Sequence, residues 1–472
     1  MKEKILILNL PGLVLKCGSR WYNKTRKELA TLKYYPYPWF MGYATSLLKK
    51  NGFEVIFKDA IALEWSIEQT EKFLESVSPA YLICEPTWVS IKDDKKFLSM
   101  LDKNTVTIAV GNYATNYPQQ CLNNGLDYVV VGEYEFSLLD FFKSEGKTLP
   151  KNFVSKDKSK FELPDLVEDL DKFPFPERDD MLIKYYNEPS CYGVNVVMVA
   201  SRGCRLKCDF CNVEAIYGRH DYRMRSAKNV VDEMEYLKKN YQFDEIYFDD
   251  DNMVSNRKYI IDICQEIVKR KLQTKWLCMG DGLIDDEALE WLARAGCVTY
   301  KYGLEHLDAD VLKAIPKPLK GERLLEIIEK CRQLRMRSYV NLMVGLPKST
   351  KEKDLSMINR VIAAGPDLLQ LAIATPYPGT VFYDKAKKNG WLVCDDITSF
   401  DVTGKSAVSY SDYKAEDITK MFNYGWHLWY RYLFFRKPKT LLFFLSSEIR
   451  REGIWKTFKK VIAYLVKIVK KS

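Results

Sequence analysis

The chain predicts an α/β fold made of two successive strand–helix runs followed by a helical tail. Three observations carry that prediction. Short apolar runs bounded by turn residues alternate with amphipathic stretches over residues 1–145. The alternation restarts at Val194 and runs to about Trp391. Beyond Trp391 it stops, and aromatic and basic residues at helical spacing take over. At 472 residues the chain exceeds the size at which one hydrophobic core stops growing, so two or three domains are expected. A hydrophobic content of 47% places it among globular proteins rather than disordered ones.

In the first run the expected strands are Lys4–Leu8, Glu54–Lys58, Ala80–Cys84, Thr105–Val110 and Asp127–Val131. Helices are expected at Phe40–Lys50, Ser66–Val77, Asp93–Asp102 and Pro118–Asn123. Such a pattern suggests a doubly wound parallel sheet, whose ligands bind at the carboxyl ends of its strands. Residues 146–190 read as a linker, rich in Lys and Asp and ending in the Pro-x-Pro element of Phe173-Pro-Phe-Pro-Glu-Arg178.

Residues 191–391 form the second run, with the grammar of a barrel or partial barrel. Its expected strands are Val196–Ala200, Glu245–Phe248, Lys275–Met279, Val298–Tyr302, Arg337–Val344 and Leu368–Ala374. Helices are expected at Ala227–Lys239, Arg257–Arg270, Asp286–Ala295, Gly321–Arg335 and Ser349–Ala363. Functional residues of such a barrel sit at the carboxyl ends of strands.

Directly after the first of these strands comes Cys204-Arg-Leu-Lys-Cys208-Asp-Phe-Cys211, a C-x₃-C-x₂-C run. Three thiolates on one tight loop suit a [4Fe–4S] cluster whose fourth iron has no protein ligand. Zinc is the competing reading, but it favours paired C-x₂-C elements and four protein ligands. The nearest histidine after the run is His220. Chance clustering in a chain with 12 cysteines is the third reading.

With Phe210 just before its third cysteine, the loop resembles the signature of radical S-adenosylmethionine enzymes. The resemblance implies a (β/α)₆ partial barrel and an open iron that binds S-adenosylmethionine. It also implies a radical cleaved from that molecule and an electron donor such as flavodoxin or ferredoxin. Cys204, Cys208 and Cys211 would be the metal ligands. Asp249 and Asp250, after the second barrel strand, would contact the cofactor; the alternative is a solvated acidic loop or a helix cap. Glu305, in Tyr302-Gly-Leu-Glu-His306, resembles the family's Gly-x-Glu-Ser element and would make a polar contact. His306 stands where the family has serine, either as a structural hydrogen-bonder or as a proton carrier at the barrel mouth. Lys348 and Ser349 replace the glycine and glutamate of a Gly-Leu-Pro-Gly-Glu-Thr pattern, whereas Thr375-Pro-Tyr-Pro-Gly-Thr380 matches the family's last turn. Tyr377 in that turn would be structural or face substrate. Arg223 and Arg225 would stabilise the cluster or the cofactor carboxylate through charge-assisted hydrogen bonds. No catalytic side chain is singled out.

The first run resembles the Rossmann-like cobalamin-binding domain that precedes many of these barrels. Thr87, Gly111, Gly132 and Glu133 occupy the matching positions. No Asp-x-His-x-x-Gly follows the first strand, and His220, His306 and His427 all lie outside this domain, so a protein imidazole on cobalt is not expected. The alternative is a flavodoxin-like domain without a ligand. Within the family the whole arrangement is similar to the branch of anaerobic magnesium-protoporphyrin ester cyclase and the hopanoid-biosynthesis radical enzyme.

The reading is therefore a cobalamin-dependent enzyme that cleaves S-adenosylmethionine to methylate or rearrange an unactivated carbon of a small or lipid-like substrate. Ring formation on a tetrapyrrole or hopanoid is its runner-up. A non-catalytic cobalamin- or haem-handling protein is the rival of another class. Methylthiolation of tRNA would predict further cluster cysteines and an RNA-binding domain, and neither is visible, so no nucleic-acid partner is expected. No targeting segment and no run of about 18 apolar residues is present, which with scattered cysteines points to the cytoplasm. In the tail, 392–472, Ile454, Phe458, Ile462, Leu465 and Val469 recur at helical spacing among lysines. That helix either rests peripherally on a membrane or packs on the barrel.

Overall fold

Residues Ile5–Asn9 are buried along their whole length, as an interior strand of a sheet covered on both faces must be. In the computed structural model, which describes residues 3–11, 14–16, 24–26, 35–88, 90–178, 186, 188, 190–400 and 402–459, that strand lies second in a six-stranded sheet. The order is Val55–Asp59, Ile5–Asn9, Tyr81–Cys84, Val106–Ala109, Tyr128–Val130 and Phe153–Ser155. Neighbours are parallel except the last, which is antiparallel. The order reverses between the first and third strands in sequence, the switch point at which open α/β sheets bind ligands.

Three elements of this unit differ from expectation. Phe153–Ser155 belongs to the sheet although residues 146–190 read as a linker. Three residues are too few to show a period, and an antiparallel edge strand needs no crossover helix to announce it. Helices Gly111–Asn116 and Glu135–Lys143 also went unread. The first is shorter than two turns and the second is mostly buried, so neither shows a polar face. The unit holding this sheet comprises Tyr35–Tyr186 with the first residues, and it takes in Asn212–Arg223 as well.

The second unit is built from Asn187–Cys211 and from Met224 onward. Its six parallel strands are Asn195–Met198, Glu245–Phe248, Trp276–Asp281, Cys297–Glu305, Arg337–Val344 and Leu368–Ile373. They lie side by side in chain order, forming an open curled sheet, a half-barrel. Along the fifth strand Ser338, Val340, Leu342 and Val344 are buried, while Arg337, Tyr339, Asn341 and Met343 alternate as half-buried residues. One face therefore packs and the other lines the hollow. Ser226, Asn256, Asp285, Thr350 and Thr380 each cap a following helix with a side-chain oxygen.

The amino end of the half-barrel is closed. Arg337 reaches both oxygens of Glu245 at 3.0 Å and Thr299 Oγ1 at 2.7 Å. Its guanidinium lies 4.4 Å from the Phe443 ring centroid. Phe443 belongs to helix Pro438–Glu452, and Ser447 of that helix accepts a bond from Gly193 N at 2.8 Å. Helix Ala415–Arg436 packs on Lys351–Ala364 and Leu368–Ile373. Gly425 permits that approach, because a Cβ there would lie 2.5 Å from Leu371 Cδ2. The tail is thus helical and seated on the barrel through one face. Ile454 and Phe458 are exposed; Ile462, Leu465 and Val469 lie outside the described residues. Among the described residues no helix is long and apolar enough to cross a membrane.

Candidate functional site

The cysteine loop leaves the first half-barrel strand through the short strand Ser201–Gly203. The acidic run after the second strand holds it there. Asp250 is fully buried, and its carboxylate accepts Ala200 N at 3.1 Å, Ser201 N at 2.6 Å and Ser201 Oγ at 2.5 Å. Asp251 accepts Gly203 N at 2.9 Å. Asn252 bridges Asp281 Oδ2 at 2.6 Å and Cys204 Sγ at 3.5 Å. Tyr259 donates to Ala200 O at 2.7 Å. Asp249 is also buried at this strand end. Asp250 therefore braces the loop, a role neither of its expected readings described.

The far side of the loop is held by the element after the sixth strand. Phe382 N donates to Asp209 O at 2.8 Å, and Lys385 forms an ion pair with the Asp209 side chain. The turn Thr375–Thr380 aims that helix: Thr380 Oγ1 donates to Tyr377 O at 2.6 Å and caps the helix at Tyr383 N. Tyr377 is buried in the turn. Connections from the first and last strands meet only because the sheet curls.

Cys204, Cys208 and Cys211 are half-buried, whereas every other described cysteine except Cys394 is buried. Phe210 is half-buried between them. Leu206 N lies 3.4 Å from Cys204 Sγ, and Cys211 N donates to Cys208 O at 3.0 Å. Burial pushes the Cys208 thiol up to about 12 against the pull of Lys317. Burial also raises Cys204, outweighing its donors Leu206, Asn252 and Ser255. Metal ligation displaces such protons. Among the described residues no three His, Cys, Asp or Glu side chains converge on a single ion. Three cysteine sulfurs on one loop are the donor set of an iron cube with one corner left open. Beside the loop opens a cleft of about 250 Å³ lined by Arg205, Leu206, Ser255, Asp281 and Leu283.

The fourth strand ends in a buried ion pair. A register shift lies between Gly303 and Glu305, and Glu305 sits at φ +59°. A bulge of this kind re-aims the side chain. Glu305 then meets Lys317 Nζ at 2.7 Å, and Lys317 also donates to Gly303 O at 2.8 Å. A Cβ on Gly303 would lie 2.1 Å from Glu305 Oε1, so the glycine makes room for the returning carboxylate. Burial pulls the Lys317 ammonium down, but Glu305, Cys208 and Asp281 more than reverse this, and it stays charged.

His306 directly follows the fourth strand. It is wholly buried; Nδ1 accepts Asp308 N at 2.9 Å, which leaves the proton on Nε2 to face Asp354 Oδ1 at 3.2 Å. Asp354 also accepts Gly345 N and Tyr413 Oη, each at 2.9 Å, and the Ser349 hydroxyl. Two of the departures from the family pattern, His306 and Ser349, therefore meet on one carboxylate. Both arginines expected near the cluster are held in buried ion pairs. Arg225 is committed to Glu233 at 2.5 Å and Asn229 at 2.7 Å.

In the first unit, Thr87, Gly111 and Gly132 stand after the third, fourth and fifth strands. Thr87 Oγ1 donates to Ser90 Oγ at 2.9 Å. Gly111 and Gly132 adopt φ +87° and +78°. Thr115 Oγ1 joins them, donating to Gly111 O at 2.9 Å and accepting Gly132 N at 3.0 Å. A Cβ on Gly111 would lie 2.0 Å from Glu85 Oε1, so this glycine makes room for that carboxylate. Glu133 pairs with Arg223 at 2.6 Å, both buried.

Residues 198–361 match the Radical SAM superfamily. That stretch is a radical SAM domain. An uncharacterized methyltransferase of Pyrococcus horikoshii is 23% identical over 86% of this chain and 89% of its own length. The anaerobic magnesium-protoporphyrin IX monomethyl ester cyclase of Rubrivivax gelatinosus is 26% identical over 72% of this chain and 64% of its own. The solved structure of the cobalamin-dependent S-adenosylmethionine radical enzyme OxsB, with aqua-cobalamin and S-adenosylmethionine bound, has a TM-score of 0.70 at 13% identity. It covers 99% of this chain and 75% of that one. Around this domain's cysteine loop, sequence reasoning missed Lys317, Asp281 and Asp209. Lysine is exposed by default, and only the proline-flanked Pro316-Lys-Pro318 hinted at a fixed position.

Proposed function

We propose that this chain is a cobalamin-dependent radical SAM methyltransferase acting on an unactivated carbon of a small or lipid-like substrate. The observation that carries the proposal is the trio of half-buried cysteines on a loop braced from both ends of the half-barrel. When bound, the cluster supplies the electron that cleaves S-adenosylmethionine, and cobalamin supplies a methyl carrier. Cys204, Cys208 and Cys211 would hold three irons. Asp250, Asp251 and Asp209 keep their loop in place, and Asn252 and Leu206 N direct donors at Cys204. Glu305 and Lys317 offer an anion and a cation beside Cys208 for the ammonium and carboxylate of a bound amino acid. Thr87, Gly111 and Gly132 would border the cobalamin. An electron donor such as flavodoxin or ferredoxin completes the scheme.

Support comes from the likeness to the Pyrococcus methyltransferase and to OxsB. The Rubrivivax cyclase favours a second reading, ring formation on a tetrapyrrole. The test is anaerobic iron and sulfide loading, followed by incubation with reductant, S-adenosylmethionine and methylcobalamin. Methyl transfer yields S-adenosylhomocysteine that depends on cobalamin; 5′-deoxyadenosine without S-adenosylhomocysteine points to the second reading. A protein that yields neither product, or that binds only zinc, sinks both. Cys208→Ala is expected to lose the cluster's visible absorbance together with both products.

A further inference from the structure

The last helices carry a surface that the barrel does not use. Among the described residues 17 large hydrophobic side chains are exposed, and ten of them fall between Tyr424 and Phe458. The most open are Trp455 at 77%, Phe435 at 71% and Phe434 at 68%. The opposite side of these helices is already occupied: Trp429 and Leu433 are buried, Phe443 lies under Arg337, and Ser447 bonds Gly193. The outward apolar set is therefore not waiting for the barrel.

Charge is segregated in the same place. From Tyr424 to the end the sequence holds twelve Lys and Arg against two Glu, more than the whole chain's net charge of +9. Everything before Tyr424 is close to neutral. Residues 460–472, beyond the described structure, continue with four lysines among Val461, Ile462, Leu465, Val466, Ile468 and Val469.

We propose that this outward face docks on an anionic phospholipid bilayer surface. Aromatic and aliphatic side chains would enter the headgroup boundary while flanking Lys and Arg meet lipid phosphates. No described helix could cross instead. RNA fits less well, since Leu441, Leu442, Leu445 and Ile454 present no ring on which a base could stack. The inference does not depend on the reaction, because protein without iron would bind equally.

Co-sedimentation of the full chain with phosphatidylcholine vesicles, with and without phosphatidylglycerol, tests it. Binding should require the anionic lipid and weaken with salt. The pair Trp455→Ser and Phe458→Ser should lower partitioning by roughly tenfold with an unchanged melting temperature. Lys456→Gln and Lys459→Gln should each lower it by about fivefold. No pelleting above the vesicle-free control overturns the proposal. So does binding indifferent to the aromatic changes, since that reports charge alone. Abolition by competing RNA, or dimerisation through the same residues without lipid binding, overturns it as well.

Discussion

Asp354 shows how one buried carboxylate can absorb two departures from a family pattern. Four donors converge on it from three segments: His306, the loop carrying Gly345 N and Ser349, and Tyr413. Removing one leaves charge less satisfied where water does not reach. His306→Ala should destabilise by about 1–3 kcal/mol in urea unfolding. Ser349→Ala should be non-additive with it, coupled by at least about 0.5 kcal/mol, because both act on one acceptor. A histidine acting at the mouth would instead alter product formation and leave unfolding unchanged. Glu305 and Lys317 form the other buried pair. Lys317→Met should destabilise by about 3–5 kcal/mol, because it strands a buried carboxylate, and adding Glu305→Gln should recover part of that. Neither pairing was legible in the sequence. Histidine and serine lie 43 residues apart on different elements, and motif comparison marks each only as a mismatch. Cys204, Cys208 and Cys211 were legible because their ligand spacing is local to one loop.

At the scale of elements, what could be read was what burial imposes on a strand or helix by itself. The six half-barrel strands appear where apolar runs end in turn residues, and their ends shift by up to three residues. The helix starts follow from caps. Asp285 accepts Ala288 N at 2.8 Å, so Asp285→Ala should lower stability by about 1 kcal/mol. Burial raises the Asp285 carboxyl, but Arg257 and the Ala288 N–H outweigh it and hold it below its ordinary value. A lowered folded pKa gives stability that is present above the unfolded carboxylate value and lost as pH falls through the folded one. Asp285→Asn, which keeps the cap, should therefore flatten the acid limb of the urea midpoint slightly, the pair being half-exposed. Contacts between elements are not written locally. Gly425 reads as a weak point in a helix, yet it is where Leu371 and Ile358 come closest. Gly425→Ala would gain about 1 kcal/mol of helix propensity. Overpacking at 2.5 Å from Leu371 Cδ2 should exceed that gain, so the melting temperature should fall.

For the whole molecule, the chain does not divide at a single point. Sequence placed one boundary in a linker between residues 146 and 190, as composition shifts invite. Two observations make that cut costly. Phe153–Ser155 supplies the sixth strand of the first sheet. Asn212–Arg223 returns to the first unit after the cysteine loop. That return brings Arg223 to Glu133 at 2.6 Å, Ala215 O to Asn116 Nδ2 at 3.0 Å, and the Tyr217 ring to Phe40 at 6.0 Å. A fragment ending at Tyr186 lacks all three and leaves Glu133 buried without its Arg223 partner. Breaking such a pair destabilises by about 3–5 kcal/mol, a large share of what a domain of this size has. The fragment should unfold at a lower urea concentration than the first transition of the full chain. Joining residues 212–223 to it through a flexible glycine–serine linker should restore much of the difference, and the same joined segment carrying Arg223→Met should not. If the short fragment proves as stable as the joined one, the returning segment is not part of the first unit's core.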